Sequence, residues 1–152
     1  MKEDSRLEDG IYKGYKVSIR LVREGTSHYN PRKVTGPADV YEFFRDLENL
    51  DREVFYSLHL DMKNQIIGCE EVSRGSLCYS LVSPREVYKA AILSSAANLI
   101  VAHNHPSGDP MPSKEDYEIT ERLTSAGEIL GISLIDSIVI GDGRYFSLKE
   151  KV

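Results

Sequence analysis

Short aliphatic runs alternate with amphipathic stretches along this chain, and that alternation predicts a mixed fold of strands and helices. Residues 99–102 form an apolar run that is typical of a buried strand. Residues 54–60 predict an earlier strand, followed by a hairpin around residues 61–64. Residues 133–140 and 144–148 predict a closing hairpin over the turn Gly141-Asp142-Gly143.

Three further stretches have the spacing of amphipathic helices. The first begins at Thr35-Gly36-Pro37, ends at Asn49, and has an inward side made of Val40, Phe43, Phe44 and Leu47. The second begins at Ser83-Pro84-Arg85-Glu86, with a serine cap and a proline in first position, and is predicted to run to Asn98. The third begins at Ser113 and ends at Gly131, with a stripe formed by Tyr117, Thr120, Leu123, Thr124, Gly127 and Leu130. Together these elements predict the α/β class, a mixed sheet with flanking helices.

The amino-terminal part of the chain is basic and strand-like. Residues 16–23 alternate Val17, Ile19 and Leu21 with mostly polar neighbours, which predicts a half-buried strand with solvated basic side chains. A groove for nucleic acid or substrate is the alternative interpretation. We expect residues 1–12 to be loose and residues 13–152 to form one domain with its core in 36–152.

Charge and hydropathy exclude some classes of partner. The chain has 19 Lys or Arg against 24 Asp or Glu, a net charge of −5 and a pI near 5.4. This balance argues against a generally basic surface for nucleic acid. No run approaches the ~20 apolar residues that span a bilayer, and the first residues form no apolar signal region. We therefore expect a cytoplasmic protein without a membrane partner.

The residues after the run 99–102 carry the candidate chemistry. His103 and His105 are two positions apart at a strand end, where a spacing of ~6.6 Å lets both rings reach one ion. The loop 106–112 contains three prolines, so it is stiff and can return Asp116 to the histidines. Two imidazoles and one carboxylate are three ligands for one Zn²⁺ per chain. The fourth tetrahedral position then holds water, which is typical of a catalytic site.

Each of these residues also has a structural interpretation. Ser113 and Asp116 fit a capping box, in which serine and an acid three residues later bind free backbone N–H groups. A His-x-His pair at a strand end is often only hydrogen-bonded or solvated. The letters HNH match the name of a nuclease motif, but that motif spreads its residues over a longer hairpin and helix. The combination of residue types at fixed offsets is what favours a metal site.

The remaining cysteines and histidines are interpreted as ordinary residues. Cys69 and Cys78 lack a Cys-x-x-Cys spacing, which favours buried strand residues over metal ligands. The missing spacing also argues against a zinc deaminase, which requires that motif. His59 lies opposite to its apolar strand neighbours, which favours a solvated or hydrogen-bonded role. His28 is typical of a loop.

The pattern His-x-His, seven residues, Ser, two residues, Asp, with an upstream Glu, resembles the JAMM (MPN+) metallohydrolases. It is met here from His103 to Asp116 without departure. More narrowly, HNHPSGDPMPSKED is similar to the bacterial RadC family, and the likeness runs from about Gly36 to Val152. It includes the stretches 53–55, 74–76, 83–86 and 141–145. Full-length members carry an amino-terminal helix-hairpin-helix region, for which this sequence has no room. We therefore expect the chain to resemble the short, single-domain members.

The resemblance implies a JAB/MPN-like fold, a layered architecture similar to that of cytidine deaminases. It implies that His103, His105 and Asp116 bind zinc and that Ser113 donates a hydrogen bond to the developing oxyanion. The general base is implied to be an upstream glutamate, for which Glu53 is the best match. The alternatives on the next strand are Glu70 and Glu71.

The implied function is zinc-dependent hydrolysis of a peptide or isopeptide-like amide by metal-activated water. One alternative is a DNA repair or DNA-metabolism accessory protein, as the RadC name implies, without peptidase activity. Another is a metal-free MPN scaffold, which predicts loss of ligands that this sequence retains. Nothing in the sequence encodes a ubiquitin-binding groove.

Overall fold

Helices and strands alternate along the part of the chain that the structure describes. The structure, a computed structural model, describes residues 14, 16–22, 24–25, 33–75 and 82–150. The helices are α1 (Pro37–Phe43), α2 (Pro84–Leu93) and α3 (Lys114–Leu130), and a 3₁₀ helix covers Arg45–Asn49. The strands are β1 (Glu53–Leu60), β2 (Ile66–Gly75), β3 (Asn98–Asn104), β4 (Ser133–Ile140) and β5 (Tyr145–Ser147).

The five strands form one mixed sheet in the order β2-β1-β3-β4-β5. β1 pairs antiparallel with both β2 and β3, and β4 pairs antiparallel with β5. Only β3 and β4 are parallel, because α3 connects them as a crossover helix. A mixed sheet with flanking helices confirms the predicted α/β class.

Two hydrophobic clusters lie on opposite faces of the sheet. On one face, Leu99 and Val101 of β3 join residues of α2 and α3. On the other face, Ile100 and Ala102 join residues of α1 and the 3₁₀ helix. Successive side chains of a strand point to opposite faces, so an aliphatic run without polar interruption fits a strand covered on both sides. The central strand therefore carries the candidate site residues out of a fully packed core.

The predicted helix starts are confirmed, but two predicted ends are wrong. The first helix is predicted to end at Asn49, whereas α1 ends at Phe43 and a separate 3₁₀ helix covers Arg45–Asn49. Ser83 caps α2 and accepts a hydrogen bond from the Glu86 backbone, and Gly131 ends α3 in the left-handed conformation at φ 72°. α2 does not run to Asn98 as predicted: it ends at Leu93, and Ser95 has a φ of 57°. That left-handed residue breaks the helix, and Asn98 begins β3.

The predicted stripe of α3 is only partly right. Thr120, Leu123 and Gly127 are buried as expected, but Tyr117 and Leu130 are exposed. The buried side is completed by Asp116 and Ile119. The helix is therefore rotated so that its first turn presents Asp116, rather than Tyr117, to the sheet.

The predicted strand over residues 16–23 is not present in its described part. Residues 16–22 have no regular secondary structure, and Val17 and Ile19 are 78% and 73% exposed. Alternation alone does not make a strand without a neighbouring strand to accept its backbone hydrogen bonds. Residues 1–12, Arg23, His28 and Cys78 lie outside the described residues, and the predicted domain limits stay a prediction. Among the described residues, no helix has the length and apolar character needed to cross a membrane.

Candidate metal centre

The candidate site forms where the carboxyl end of β3, the amino end of β1 and the start of α3 meet. Because β1 runs antiparallel to β3, its first residues lie beside the last residues of β3, with Phe55 opposite His103. Glu53 opens β1 two residues earlier and thus lies at the same end of the sheet. α3 then brings Asp116 of its first turn over the histidines. The topology brings four of the predicted site residues together.

Distances within the site are short. His103 Nε2 and His105 Nε2 are 3.2 Å apart. The carboxylate of Asp116 spans both, with Oδ1 3.1 Å from His103 Nε2 and Oδ2 3.2 Å from His105 Nε2. Glu53 Oε1 lies further out, 3.9 Å from His103 Nε2 and 3.7 Å from His105 Nε2. Two imidazole nitrogens and both oxygens of the Asp116 carboxylate thus converge, and a second carboxylate lies beside them.

The loop after β3 orients the ring of His105. Nδ1 of His105 lies 2.8 Å from the carbonyl oxygen of Asp109, which can only accept, so Nδ1 carries the proton. In the neutral ring this leaves the lone pair on Nε2, toward His103 and Asp116. The loop is itself anchored, because the Asp142 backbone donates to the carbonyl of Gly108. At Gly141 a Cβ would collide with Gly108 and Pro110, so the two loops are in close contact.

His103 is held by packing on the face of the sheet that α2 and α3 cover. Its side chain is buried, and its ring stacks on Phe55 with centroids 5.7 Å apart and an interplanar angle of 14°. The neighbouring strand therefore limits rotation of the imidazole. Packing fixes this ligand candidate, whereas a loop hydrogen bond fixes His105.

Asp116 is both a capping residue and a site residue. Its Oδ2 accepts from the Ser113 backbone at 2.8 Å, and Ser113 Oγ accepts from the Asp116 backbone at 3.2 Å. Burial acts to raise the pKa of Asp116, but the adjacent imidazoles of His103 and His105 outweigh burial and hold that pKa well below its usual range. The adjacent Asp116 carboxylate raises the pKa of His105 in turn.

The donor atoms fit a tetrahedral metal ion. Zinc bonds of ~2.0–2.1 Å at tetrahedral angles separate neighbouring ligand atoms by about 3.3–3.4 Å. The two Nε2 atoms are 3.2 Å apart here, and each lies 3.1 or 3.2 Å from a different oxygen of Asp116. Asp116 Oδ1 is also fully buried and makes no directional hydrogen bond despite its short distance to His103, which suits an oxygen that would face an ion. Glu53, His103 and His105 likewise converge closely enough to hold a metal ion.

The two rival glutamates have other neighbours. Glu71 accepts hydrogen bonds from Arg74 and Tyr56. Glu70 lies opposite Ser57 in the register of β1 and β2, and burial raises its pKa. Glu53 is thus the upstream glutamate that the structure places beside the histidines. Ser113 lies at the start of α3, exposed, with its hydroxyl accepting the cap hydrogen bond.

The sequence model of the RadC-like JAB domain matches residues 34–152, which cover both the sheet and the site. The chain belongs to the RadC-like JAB domain family. This confirms the resemblance that the motif indicates.

Relatives of this RadC-like domain are about half identical to it. A UPF0758 protein of Methanosarcina mazei is 51% identical over 121 residues, which are 79% of this chain and 53% of that protein. A UPF0758 protein of Trichlorobacter lovleyi is 55% identical over 119 residues, 78% of this chain and 52% of that protein. One of Alkaliphilus oremlandii is 51% identical over 147 residues, 96% and 61% of the two chains. The chain thus spans a little over half the length of these relatives.

The other residues singled out in the sequence lie away from the site. Cys69 is a free cysteine in β2, and its burial raises the pKa of its thiol to about 12. His59 is buried and hydrogen-bonded to Ser57 and Ser94, so the hydrogen-bonded interpretation is right and the solvated one is wrong. Asn104, between the two histidines, makes contacts that the sequence interpretation missed, and its position inside the motif was the available signal.

Proposed function

We propose that this domain is a zinc-dependent hydrolase that cleaves an amide bond of a peptide or isopeptide-like substrate. The observation that carries the proposal is the convergence of His103 Nε2, His105 Nε2 and the two oxygens of Asp116 at 3.1 to 3.2 Å, flanked by the Glu53 carboxylate. A purely structural zinc site is normally closed by four protein ligands, whereas three ligands and an adjacent base are typical of hydrolases. Membership of the RadC-like JAB family supports the same reaction type.

In this proposal each residue has one task at a stated atom. His103 Nε2, His105 Nε2 and Asp116 would hold the zinc, which when bound would polarise the substrate carbonyl and acidify a water molecule. Glu53 Oε1 would accept the proton of the attacking water and return it to the leaving amine. Its side chain is 21% exposed, so water and substrate can reach it.

Ser113 would supply the hydrogen bond to the oxyanion. Its Oγ already accepts the cap hydrogen bond from the Asp116 backbone, which occupies a lone pair and not the hydroxyl proton. The proton is thus available for donation to the negative charge that forms on the substrate carbonyl oxygen. Removing such a donor costs ~2.7–4 kcal/mol of transition-state stabilisation in comparable sites.

The test compares metal content and cleavage in the same samples. Wild type, Asp116→Ala, Glu53→Gln and the control Glu70→Gln are loaded with zinc, dialysed, and analysed by mass spectrometry of metals. Each is then incubated with a library of amine-blocked peptides, so that every cleavage creates a new, countable amine. We expect wild type and Glu70→Gln to hold close to one zinc and to cleave.

The two site variants should separate binding from chemistry. Asp116→Ala should lose most of its zinc, because two imidazoles remain where three ligands are needed. Glu53→Gln should keep zinc and lose about 10²–10⁴-fold in rate, since an amide cannot accept the proton. Zinc retention by Asp116→Ala together with zinc loss by Glu53→Gln would assign the ligand carboxylate to Glu53 instead. Absence of any zinc-dependent cleavage, with salt-dependent binding of duplex DNA, would support the accessory role in DNA metabolism.

A further inference from the structure

Asn104 lies between the two histidines of the motif, and its side chain is engaged with the start of β1. Its Oδ1 accepts a hydrogen bond from the Val54 backbone N–H at 2.8 Å. Its Nδ2 donates to the backbone carbonyl of Arg52 at 2.9 Å. The residue is 1% exposed, so these two contacts are sheltered from water. One side chain thus binds the backbone on both sides of Glu53.

These two contacts involve the two peptide groups that flank the Cα atom of Glu53. The carbonyl of Arg52 belongs to the peptide before Glu53, and the N–H of Val54 belongs to the peptide after it. Holding both peptides against one planar amide restricts the two backbone dihedrals of Glu53. The direction from which the Glu53 side chain leaves the backbone is therefore set by Asn104.

Asparagine suits this position for chemical reasons. A backbone N–H must face an acceptor and a carbonyl must face a donor, so the orientation of the Asn104 amide is determined by its partners. Alanine would remove both bonds. Aspartate would still accept from Val54 but would turn a carboxylate oxygen toward the carbonyl oxygen of Arg52.

The frame to which Asn104 belongs is itself rigid. Asn104 is in register with Ile140 of β4, and the backbone N–H of His105 donates to the Ile140 carbonyl at 2.9 Å. Phe55, two residues after Glu53, stacks on His103. The segment that carries both histidines therefore also holds the backbone that carries Glu53.

We propose that Asn104 is a positioning residue that sets the distance between the Glu53 carboxylate and the histidine pair. The inference rests on the proposed function for its catalytic consequence, because Glu53 is the base there. Oε1 of Glu53 lies 3.7 Å from His105 Nε2 and 3.9 Å from His103 Nε2, further from both rings than the Asp116 carboxylate at 3.1 to 3.2 Å. A carboxylate placed beside the site but not in it needs a fixed backbone, since a displacement of ~1 Å can cost about 10²-fold in rate.

The experiment uses the zinc-loaded chain and the variants Asn104→Ala and Asn104→Asp. The matched control is Asn98→Ala at the opposite end of β3, where Asn98 donates to Asn64 at 3.0 Å, far along the strand from the histidines. The first readout is backbone amide hydrogen exchange by NMR, together with side-chain relaxation of Glu53. Asn104→Ala should raise the exchange rate of the Val54 amide ~5-fold or more and increase the mobility of the Glu53 side chain. Asn98→Ala should change neither.

The second readout is cleavage of the amine-blocked peptide library, with zinc affinity measured by chelator competition. Asn104→Ala should lose about 10²-fold in rate and keep its affinity for zinc, because the three proposed ligands keep their own contacts. Asn104→Asp should retain protection at Val54, lose rate, and serve as the folded variant if Asn104→Ala is unstable. In the Glu53→Gln background, Asn104→Ala should cause no further loss, because it acts through Glu53.

Two results would overturn the proposal. One is unchanged exchange at Val54 and unchanged Glu53 mobility in Asn104→Ala. The other is an equal loss of rate from Asn104→Ala in the wild-type and Glu53→Gln backgrounds, which indicates a general structural effect. A wild-type domain without Glu53-dependent cleavage would count against the proposed function alone, and the NMR readout would then decide the positioning role.

Discussion

At the scale of single residues, Ser113 combines a structural and a proposed chemical task. Its hydroxyl oxygen accepts from the Asp116 backbone, and the Asp116 carboxylate accepts from the Ser113 backbone, so the capping box is complete. The cap therefore fixes one predicted ligand and one predicted donor relative to each other. Structure and chemistry can be separated by choosing substitutions that preserve one of them.

The substitutions Ser113→Ala and Ser113→Asp separate the capping role of Ser113 from its proposed role as a hydrogen-bond donor. Alanine should cost ~0.5–2 kcal/mol of unfolding free energy, and aspartate should restore it, because a carboxylate also caps a helix. For cleavage, neither substitute donates, and aspartate adds negative charge beside the forming oxyanion. We expect Ser113→Asp to melt close to wild type and to be the slowest of the three in the peptide assay. Full activity of Ser113→Asp would reduce Ser113 to a cap.

At the scale of elements, α3 meets its neighbours through a glycine. Gly127 is buried in the helix, and a Cβ there would collide with the carbonyl oxygen of Ile132 and the hydroxyl of Tyr88. That hydroxyl donates to the carbonyl of Leu123 at 2.8 Å, so it cannot move freely. Close approach of α3 to α2 and to the β4 connection thus depends on a residue without a side chain.

Gly127→Ala should therefore destabilise the protein, although alanine is the better helix former. The gain in helix propensity is about 1 kcal/mol, while overpacking costs ~1–3 kcal/mol, so we expect a net loss of up to about 2 kcal/mol. Ser125→Ala, an exposed substitution on the same helix, is the control and should be neutral or slightly stabilising. Thermal and urea unfolding measure both. A higher free energy of unfolding for Gly127→Ala would show that the Tyr88 side chain moves aside at little cost.

At the scale of the whole molecule, the buried imidazole of His59 makes folding depend on pH. His59 lies between Ser57 and Ser94, at 3.0 and 3.2 Å, and burial lowers its pKa from 6.5 to about 4. Between pH 6.5 and pH 4, His59 is protonated in the unfolded chain but stays neutral in the folded chain. The free energy of unfolding should therefore fall between pH 6.5 and pH 4 and show no further His59 effect below that range.

The expected contribution is up to about 3 kcal/mol across that interval. His59→Gln removes the titrating group, so the stability difference between wild type and variant should shrink as the pH falls. Urea unfolding at several pH values, with chelator present to exclude metal binding, gives that difference directly. If the free energies of unfolding of wild type and His59→Gln changed equally with pH, His59 would have the same pKa in the folded and unfolded states.

The sequence by itself determined what depends on neighbours along the chain. The buried strand, both helix caps, the left-handed end at Gly131 and the spacing from His103 to Asp116 are local patterns, which depend mainly on neighbouring residues of the chain. The sequence also identifies the family, because the family motif lies within the fourteen residues from His103 to Asp116.

Tertiary structure alone decided which distant groups meet that motif. Glu53 lies fifty residues before His103, and only the antiparallel register of β1 and β3 places it beside the histidines rather than Glu70 or Glu71. The same register lets Asn104 bind the backbone on both sides of Glu53. The prediction of a strand over residues 16–23 was wrong in its described part. A strand needs a paired neighbour, and alternation along one segment cannot specify that neighbour.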